Sequence, residues 1–196
     1  MAYPIITCRP KSLPSEQLVA AADIATSINP LNHPHLHVLA GAVGGFAPTK
    51  AHIAIATTKY WGAAGVNLTV GFLDTNDATL KARILSHMNA WGTRINASFV
   101  ESNDHPQVRI ARVAGDGYWS YIGTDIKLIP ADQPTMNLES FSMDTPESEY
   151  RRVVRHETGH TLGDVHEHLR WELVNLIDPD KAIAYFGAMD GWSPDM

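Results

Sequence analysis

The sequence has very little cysteine and no long apolar run. Cys8 is the single cysteine among 196 residues, which excludes an internal disulfide. The apolar runs are too short and too interrupted to span a bilayer, so we expect no membrane partner. The first ten residues lack the basic segment and apolar core of a signal peptide. Either the protein is not exported through such a leader, or the leader is missing from this sequence.

Runs of positive charge are also absent. The chain has 15 Lys and Arg against 21 Asp and Glu, a net charge of −6. This balance argues against a nucleic-acid partner. A hydrophobic content of 44% and a charged content of 18% are those of an ordinary globular protein. The length suits one domain, or one domain with an extension. No pattern in the sequence indicates an oligomeric state.

One stretch carries a recognisable chemistry, and it reads H-E-x-x-H-x-x-G-x-x-H from His156 to His166. Residues four apart lie on one face of a helix, so His156 and His160 can offer imidazole nitrogens to one point. A hydrolytic zinc usually takes three protein ligands. Gly163 can end the helix, and the turn can bring His166 back as the third ligand. Glu157 is then placed to take a proton from an attacking water.

Continued to Arg170, this stretch resembles the zinc signature of the metzincin metallopeptidases. It is most similar to the astacin branch, in which Glu-His-x-Arg follows the third histidine. The close likeness covers residues 145–172, and a looser one covers about 57–144. The chain departs from the pattern at Asp164, where an aromatic residue is usual, and at residues 171–172, where Pro-Asp is usual.

The resemblance implies Zn²⁺ on His156, His160 and His166, with Glu157 as general base. It also implies that Glu167 bonds the amino terminus of the mature enzyme. The implied function is a secreted zinc endopeptidase acting on peptide or protein substrates. With one cysteine, the chain would be a relative of the bacterial type, because animal astacins are disulfide-bonded.

Two other functions stay open at this stage. One is a non-catalytic zinc-binding module. The other is a gluzincin-type hydrolase, which would leave Gly163 and His166 unexplained. No Ser-x-Met-x-Tyr segment, the Met-turn of the family, follows the signature, and Met189 stands too close to it. We therefore expect a catalytic domain at residues 56–196 that lacks its C-terminal part and is a poor peptidase in this form.

Residues 1–55 are predicted to be an N-terminal extension or prosegment-like region, because proline and glycine interrupt them repeatedly. They include one plausible helix, Glu16 to Ile28, with Ser15 as its cap. Cys8 could be a latency ligand for the zinc, or an unremarkable thiol. Three alternating histidines could form a second metal site or an exposed loop: His33, His35 and His37.

The fold class is predicted to be α/β, a twisted mixed sheet with a backing helix and an active-site helix. The predicted strands are residues 66–72, 94–100, 108–113 and 135–141. A helix from the caps at 74–76 to Trp91 should bury a stripe of four residues: Leu80, Ile84, Met88 and Trp91. Thr145 and Pro146 should open the active-site helix. Later helices are expected at 168–177 and from Asp178 to Phe186.

The aromatic segment between Gly115 and Gly123 is the candidate substrate-binding edge. In the metzincin pattern this region lies above the zinc, and Ser120-x-x-Gly123 matches its motif. An edge strand can pair with an extended peptide through its backbone. The candidate residues are Tyr118, Trp119 and Ser120. The alternative is a packed hairpin whose aromatic side chains only fill space.

Overall fold

The computed structural model describes Cys8, residues 11–35, Ala47, and residues 49–166, 178–181, 183 and 184. The chain divides into two compact units, Met1–Asp164 and Val165–Met196. In the second unit, Asp178 Oδ1 accepts from the Lys181 backbone N–H at 3.2 Å, and residues 179–181, 183 and 184 are helical, as predicted. The helix predicted at 168–177 and the segments around Met189 and residues 191–196 lie outside the described residues. No helix in the described ranges combines the length and apolar character needed to cross a membrane.

The first unit contains the mixed sheet that the sequence predicted. The strands are β1 (Val66–Phe72), β2 (Ala97–Glu101), β3 (Val108–Ala111), β4 (Tyr118–Ser120) and β5 (Met136–Leu138). Their order across the sheet is β2-β1-β3-β5-β4. All neighbouring pairs are parallel except β4 and β5, which are antiparallel. β4 therefore forms one edge.

A helix covers one face of this sheet and completes the core. The first two α-helices are α1 (Leu18–Ile28) and α2 (Lys50–Ala56), and the covering helix is α3 (Ala78–Met88). Alternation along β1 buries Leu68 and Val70. The predicted stripe on α3 is fully buried at Leu80, Ile84 and Met88.

Some predicted boundaries are wrong. Asp77, rather than residues 74–76, caps α3 through bonds from the backbone N–H groups of Thr79 and Leu80. The α-helix ends at Met88, and a 3₁₀ segment, Asn89–Thr93, carries Trp91. Because this segment comes first, β2 begins only at Ala97, and Ile95 is exposed. β3 stops at Ala111 because the next backbone N–H, that of Arg112, bonds the Asp74 carboxylate instead.

Residues 11–35 pack against the rest of the first unit. A 3₁₀ turn, Ser15–Gln17, leads into α1, which buries Ala21, Ala22 and Ala25. The cap prediction is wrong here, since Ser15 lies inside the turn and Pro14 precedes it. The helix packs against α2.

No second histidine site appears within the described part of the chain. His33 Nδ1 lies 3.0 Å from the Pro34 carbonyl oxygen. The described metal-ligand groups do not include His33 or His35. His37 lies outside the described residues.

The active-site helix has three parts. Glu147–Glu149 form one turn, Tyr150–Val154 form a π-helical segment, and α4 runs from Arg155 to Leu162. Thr145 is not its cap: its hydroxyl accepts from the Ser142 backbone N–H at 3.0 Å, and Pro146 occupies the cap position. One face of this helix is buried at Val154, Thr158 and Thr161.

A buried charge pair lies beside this core. Within the described residues, Lys59 Nζ, Thr124 Oγ1 and Asp125 Oδ1 are buried without a hydrogen-bond partner. Burial raises the pKa of Asp125 to about 6, although the Lys59 charge opposes the shift. Burial also lowers the pKa of Lys59, against the attraction of Asp125. Desolvation thus outweighs the attraction for both partners.

We expect Asp125 to make stability depend on pH between its ordinary pKa of 3.8 and about 6. In that window the folded protein holds a proton that the unfolded chain has released. The stabilisation is complete below pH 3.8 and is lost as the pH rises through 6. In urea unfolding, the free energy of unfolding of Asp125→Asn should therefore rise relative to that of wild type between pH 4 and pH 7. The exposed Asp132→Asn is the control, and a difference independent of pH would contradict the assignment.

Gly123 is predicted to be irreplaceable. It has a φ of +48°, and a Cβ there would overlap the Lys59 carbonyl oxygen and lie 3.1 Å from Gly163 Cα. Gly115 has a φ of +81°, but a Cβ added there would meet no atom within 4 Å. Gly115→Ala should cost about 1–2 kcal/mol from backbone strain alone. Gly123→Ala should cost more than about 3 kcal/mol in urea unfolding, because it adds a backbone clash. Equal losses would show that the clash is relieved.

Candidate metal centre

Two tryptophans fix the helix that carries the signature. Trp91 Nε1 donates to the Arg155 carbonyl at 2.9 Å, near the start of α4. Trp61 Nε1 donates to the Thr161 carbonyl at 2.9 Å, near its end. Gly159 faces Trp91, where a Cβ would lie 3.2 Å from the indole ring. The two indole groups therefore hold α4 near both of its ends, and Trp91 packs closely against Gly159 between them.

The turn after α4 orients His160. Gly163 has a φ of +114°, and its backbone N–H bonds the carbonyls of Gly159 and His160. Asp164 then folds back, so that its carbonyl oxygen lies 2.7 Å from His160 Nδ1. A carbonyl accepts only from a protonated Nδ1, so Nε2 is the ring nitrogen whose lone pair can bind a metal. Burial lowers the pKa of His160, partly opposed by the bond to Asp164, and so favours the neutral imidazole.

The first two histidines of the signature stand side by side. Their ring centroids are 4.7 Å apart, and the ring planes are nearly perpendicular, at 82°. Ligand atoms of His156, His160 and Cys8 all lie within 4.8 Å of one another. Imidazole nitrogens and a thiolate are the donors that zinc prefers. The donor set of the first unit therefore fits a zinc ion.

Glu157 is almost completely buried beside these donors, with 1% of its surface exposed. Burial raises the pKa of its carboxyl group to about 7, while the bond from Cys8 and the charge of Arg152 act in the opposite direction. A carboxyl group that titrates near neutral pH can both accept and return a proton under ordinary conditions. Its environment therefore suits a general base.

Cys8 reaches the same place from the N-terminal region. Its Sγ lies 3.4 Å from His160 Nε2 and donates to Glu157 Oε2 at 3.6 Å. Burial, and then the negative charge of Glu157, raise the pKa of this thiol. The backbone of Cys8 forms an isolated parallel bridge with Tyr118 on β4. The N-terminal region thus pairs with the sheet edge and places a sulfur against the signature residues.

The candidate substrate-binding residues lie on that edge strand with buried side chains. The Ser120 hydroxyl lies 3.0 Å from Thr161 Oγ1 and donates to the Tyr121 carbonyl. Trp119 Nε1 donates to the Asp116 carboxylate at 2.9 Å. Tyr118 packs edge-on against Phe141. The side chains of Tyr118, Trp119 and Ser120 thus make packing contacts and hydrogen bonds within the first unit. It is therefore the backbone of the strand that can pair with another segment.

A cavity of about 470 Å³ opens beside Tyr118. Phe141 and Pro146 form part of its wall, and Glu149 and Arg152 supply charged groups. Arg152 bonds Glu149 at 2.6 Å and places its guanidinium 5.9 Å from the Tyr118 ring. The cavity is thus adjacent to the residue with which Cys8 pairs.

His166 belongs to the second unit and is half-buried there. Sequence reasoning missed the two tryptophan hydrogen bonds that hold α4, since Trp61 belongs to no pattern and Trp91 was assigned only to the buried stripe of the preceding helix. It also missed the supporting carbonyl of Asp164, because a backbone group has no sequence signal.

Comparisons with known proteins point to one peptidase family. Residues 54–182 match the model of the peptidase family described as Astacin. Zinc metalloproteinase nas-27 of Caenorhabditis elegans is 30% identical over 100 residues, covering 51% of this chain and 21% of that protein. The chain thus spans about a fifth of that curated relative.

Two solved structures of myroilysin are similar in fold. One has a TM-score of 0.58 at 30% identity and covers 69% of this chain and 66% of its own. The other has a TM-score of 0.52 at 29% identity and covers 66% and 56%, respectively. Because the family model matches more than half of the residues, including the whole signature, the chain belongs to the astacin family of peptidases.

Proposed function

We propose that this chain is a zinc-dependent endopeptidase that cleaves peptide or protein substrates. The observation that carries the proposal is the grouping of His156, His160 and the buried carboxyl of Glu157 on one helix. Membership of the astacin family supports the same chemistry. Bound zinc supplies a Lewis acid that polarises a peptide carbonyl and acidifies water.

We assign the metal to His156, His160 and His166. The third ligand is supported by the signature and by the turn at Gly163. The Asp164 carbonyl already lies 2.7 Å from His160 Nδ1. His166 follows two residues later, a chain length of about 7 Å at most, which is the spacing that the signature provides for a third ligand.

We assign the proton transfers to Glu157. Its carboxylate accepts a proton from the attacking water and returns it to the leaving amine. Its burial among α4 residues excludes bulk water and strengthens electrostatic interactions at the reacting groups. The backbone of the β4 edge, residues 118–120, would hold the substrate extended beside them.

We also propose that residues 1–55 act as a prosegment, with Cys8 as the latency ligand. Cys8 Sγ lies 3.4 Å from His160 Nε2, where the reacting groups would meet. A thiolate is a strong zinc ligand and would take the position that water needs. The backbone bridge between Cys8 and Tyr118 also covers the start of β4, the edge strand proposed to bind substrate.

Replacing His166 should weaken zinc binding. We expect His166→Ala to lower zinc affinity by more than about 100-fold, because loss of a ligand exceeds the 10–100-fold typical of its supporting partners. Competition with a chromogenic chelator measures the affinity. His33→Ala removes an imidazole outside the signature and is the control. Equal affinity in both variants would remove His166 from the site.

Replacing Glu157 should abolish turnover while zinc is kept. Glu157→Gln preserves size and one acceptor but cannot take a proton. In a Cys8→Ala background, we expect hydrolysis of a fluorogenic peptide to fall by about 10²- to 10⁴-fold at equal zinc content. Near-normal hydrolysis would exclude the role. If the Cys8→Ala protein with Glu157 intact retained zinc but hydrolysed no peptide, the result would instead favour a non-catalytic zinc-binding module.

Removing the Cys8 thiol should raise activity. Without the sulfur, the position beside His160 Nε2 opens to water and substrate, so Cys8→Ala should hydrolyse peptide faster than wild type. Both proteins are compared at equal zinc content, with Ser12→Ala as a control in the same segment. Unchanged hydrolysis, here and after trimming residues 1–55, would refute the latency role.

A further inference from the structure

Asn32 lies at the end of a short 3₁₀ helix, Pro30–Asn32, and is 1% exposed. Its amide nitrogen donates to the Ala25 carbonyl at 2.9 Å and to the Tyr60 carbonyl at 2.8 Å. Its amide oxygen accepts from the Tyr60 backbone N–H at 3.0 Å and from the Thr58 hydroxyl at 2.9 Å. A carboxamide has two donors and two acceptor lone pairs, so every one is used.

This arrangement imitates the pairing of a β-strand. The Asn32 amide bonds both the N–H and the C=O of Tyr60, as a neighbouring peptide group would. The main-chain carbonyl of Asn32 adds a bond from the Thr58 N–H at 3.1 Å. Two carbonyls face the amide nitrogen, and two donors face the amide oxygen. Aspartate could not replace asparagine, since it would set an oxygen against two carbonyl oxygens.

The receiving segment is fixed to the rest of the first unit independently of Asn32. The Lys59 carbonyl accepts from the Thr124 N–H at 3.0 Å. Trp61 Nε1 donates to the Thr161 carbonyl on α4. Residues 58–61 are therefore a preformed surface, with Asn32 seated on it and Asn29 Nδ2 bonding the Trp61 carbonyl beside it at 3.0 Å.

We propose that Asn32 is a second anchor of the N-terminal segment, separate from Cys8. Residues 11–35 bind the surface at 58–61 as a distinct partner would, so cutting the connecting chain does not release them. A single cleavage between the two parts leaves a non-covalent complex with the metal-site residues still covered. The association of residues 11–35 with the rest of the unit does not depend on the proposed function. The inhibition that would follow from this association does rest on the proposed function.

The test places a site-specific protease recognition sequence between residues 40 and 47 of the whole chain. After cutting, gel filtration over a dilution series measures whether the two fragments remain together. We expect them to co-elute at micromolar concentration, also with Cys8→Ser and with a zinc chelator. Separation of the cut Cys8→Ser protein would overturn the proposal, because it would make Cys8 the anchor.

Asn32→Asp should weaken association of the cut fragments by roughly 100-fold or more, since it replaces the two N–H donors of the amide with one oxygen that repels two carbonyl oxygens. Asn103→Asp introduces the same charge at an exposed position and should leave association unchanged. Thr58→Val removes only the hydroxyl bond to the Asn32 amide oxygen and should weaken association by roughly 3- to 10-fold. It serves as the readout if Asn32→Asp does not fold. Unchanged association in a folded Asn32→Asp or in Thr58→Val would overturn the proposal.

Peptide hydrolysis by the same cut proteins tests the consequence. The cut chain should stay inactive, and cut Asn32→Asp should gain activity on dilution. Fragments that stay together without any zinc binding would refute the proposed function but support the anchor. An active complex that still co-elutes would overturn the inhibitory consequence.

Discussion

The hydrogen bond between His160 Nδ1 and the Asp164 carbonyl is the interaction on which the candidate site depends. It requires the chain to reverse within one residue of the helix end, and a φ of +114° at Gly163 provides that reversal at no steric cost to glycine. One backbone angle thereby selects the histidine tautomer and the direction of the following chain.

The rest of the first unit keeps that helix end in place. β1 and β3 lie inside the sheet, α3 packs against β2 at one edge, and β4 forms the other edge beside α4. Trp61 and Trp91 bond the carbonyls near the two ends of α4. Chemistry-bearing groups are thus positioned by a rigid frame rather than by long loops.

How much the sequence predicts depends on whether a feature has a local pattern. The stripe on α3 and the alternation in β1 follow periodic burial, and both were predicted. The approach of His156 to His160 was predicted because helical spacing itself encodes a shared face. Cap residues were misplaced at Ser15, residues 74–76 and Thr145, since several polar residues precede each helix and tertiary bonds select among them. The Asn32 network has no local signal, because its partners are backbone groups far along the chain.

The π-helical segment at Tyr150–Val154 has a consequence for how the unit tolerates change. A π turn holds one residue more than an α turn, so it shifts everything before it by about 100° relative to α4. That shift lets Tyr150 lie buried, with its hydroxyl on the Ser142 carbonyl, while His156 stays exposed on the ligand face. The π-helical segment therefore sets the rotation between the buried surface that carries Tyr150 and the face that carries His156. Deleting one residue here would either displace Tyr150 from its buried position or turn the histidines away, so the length of the chain at this point matters to both surfaces.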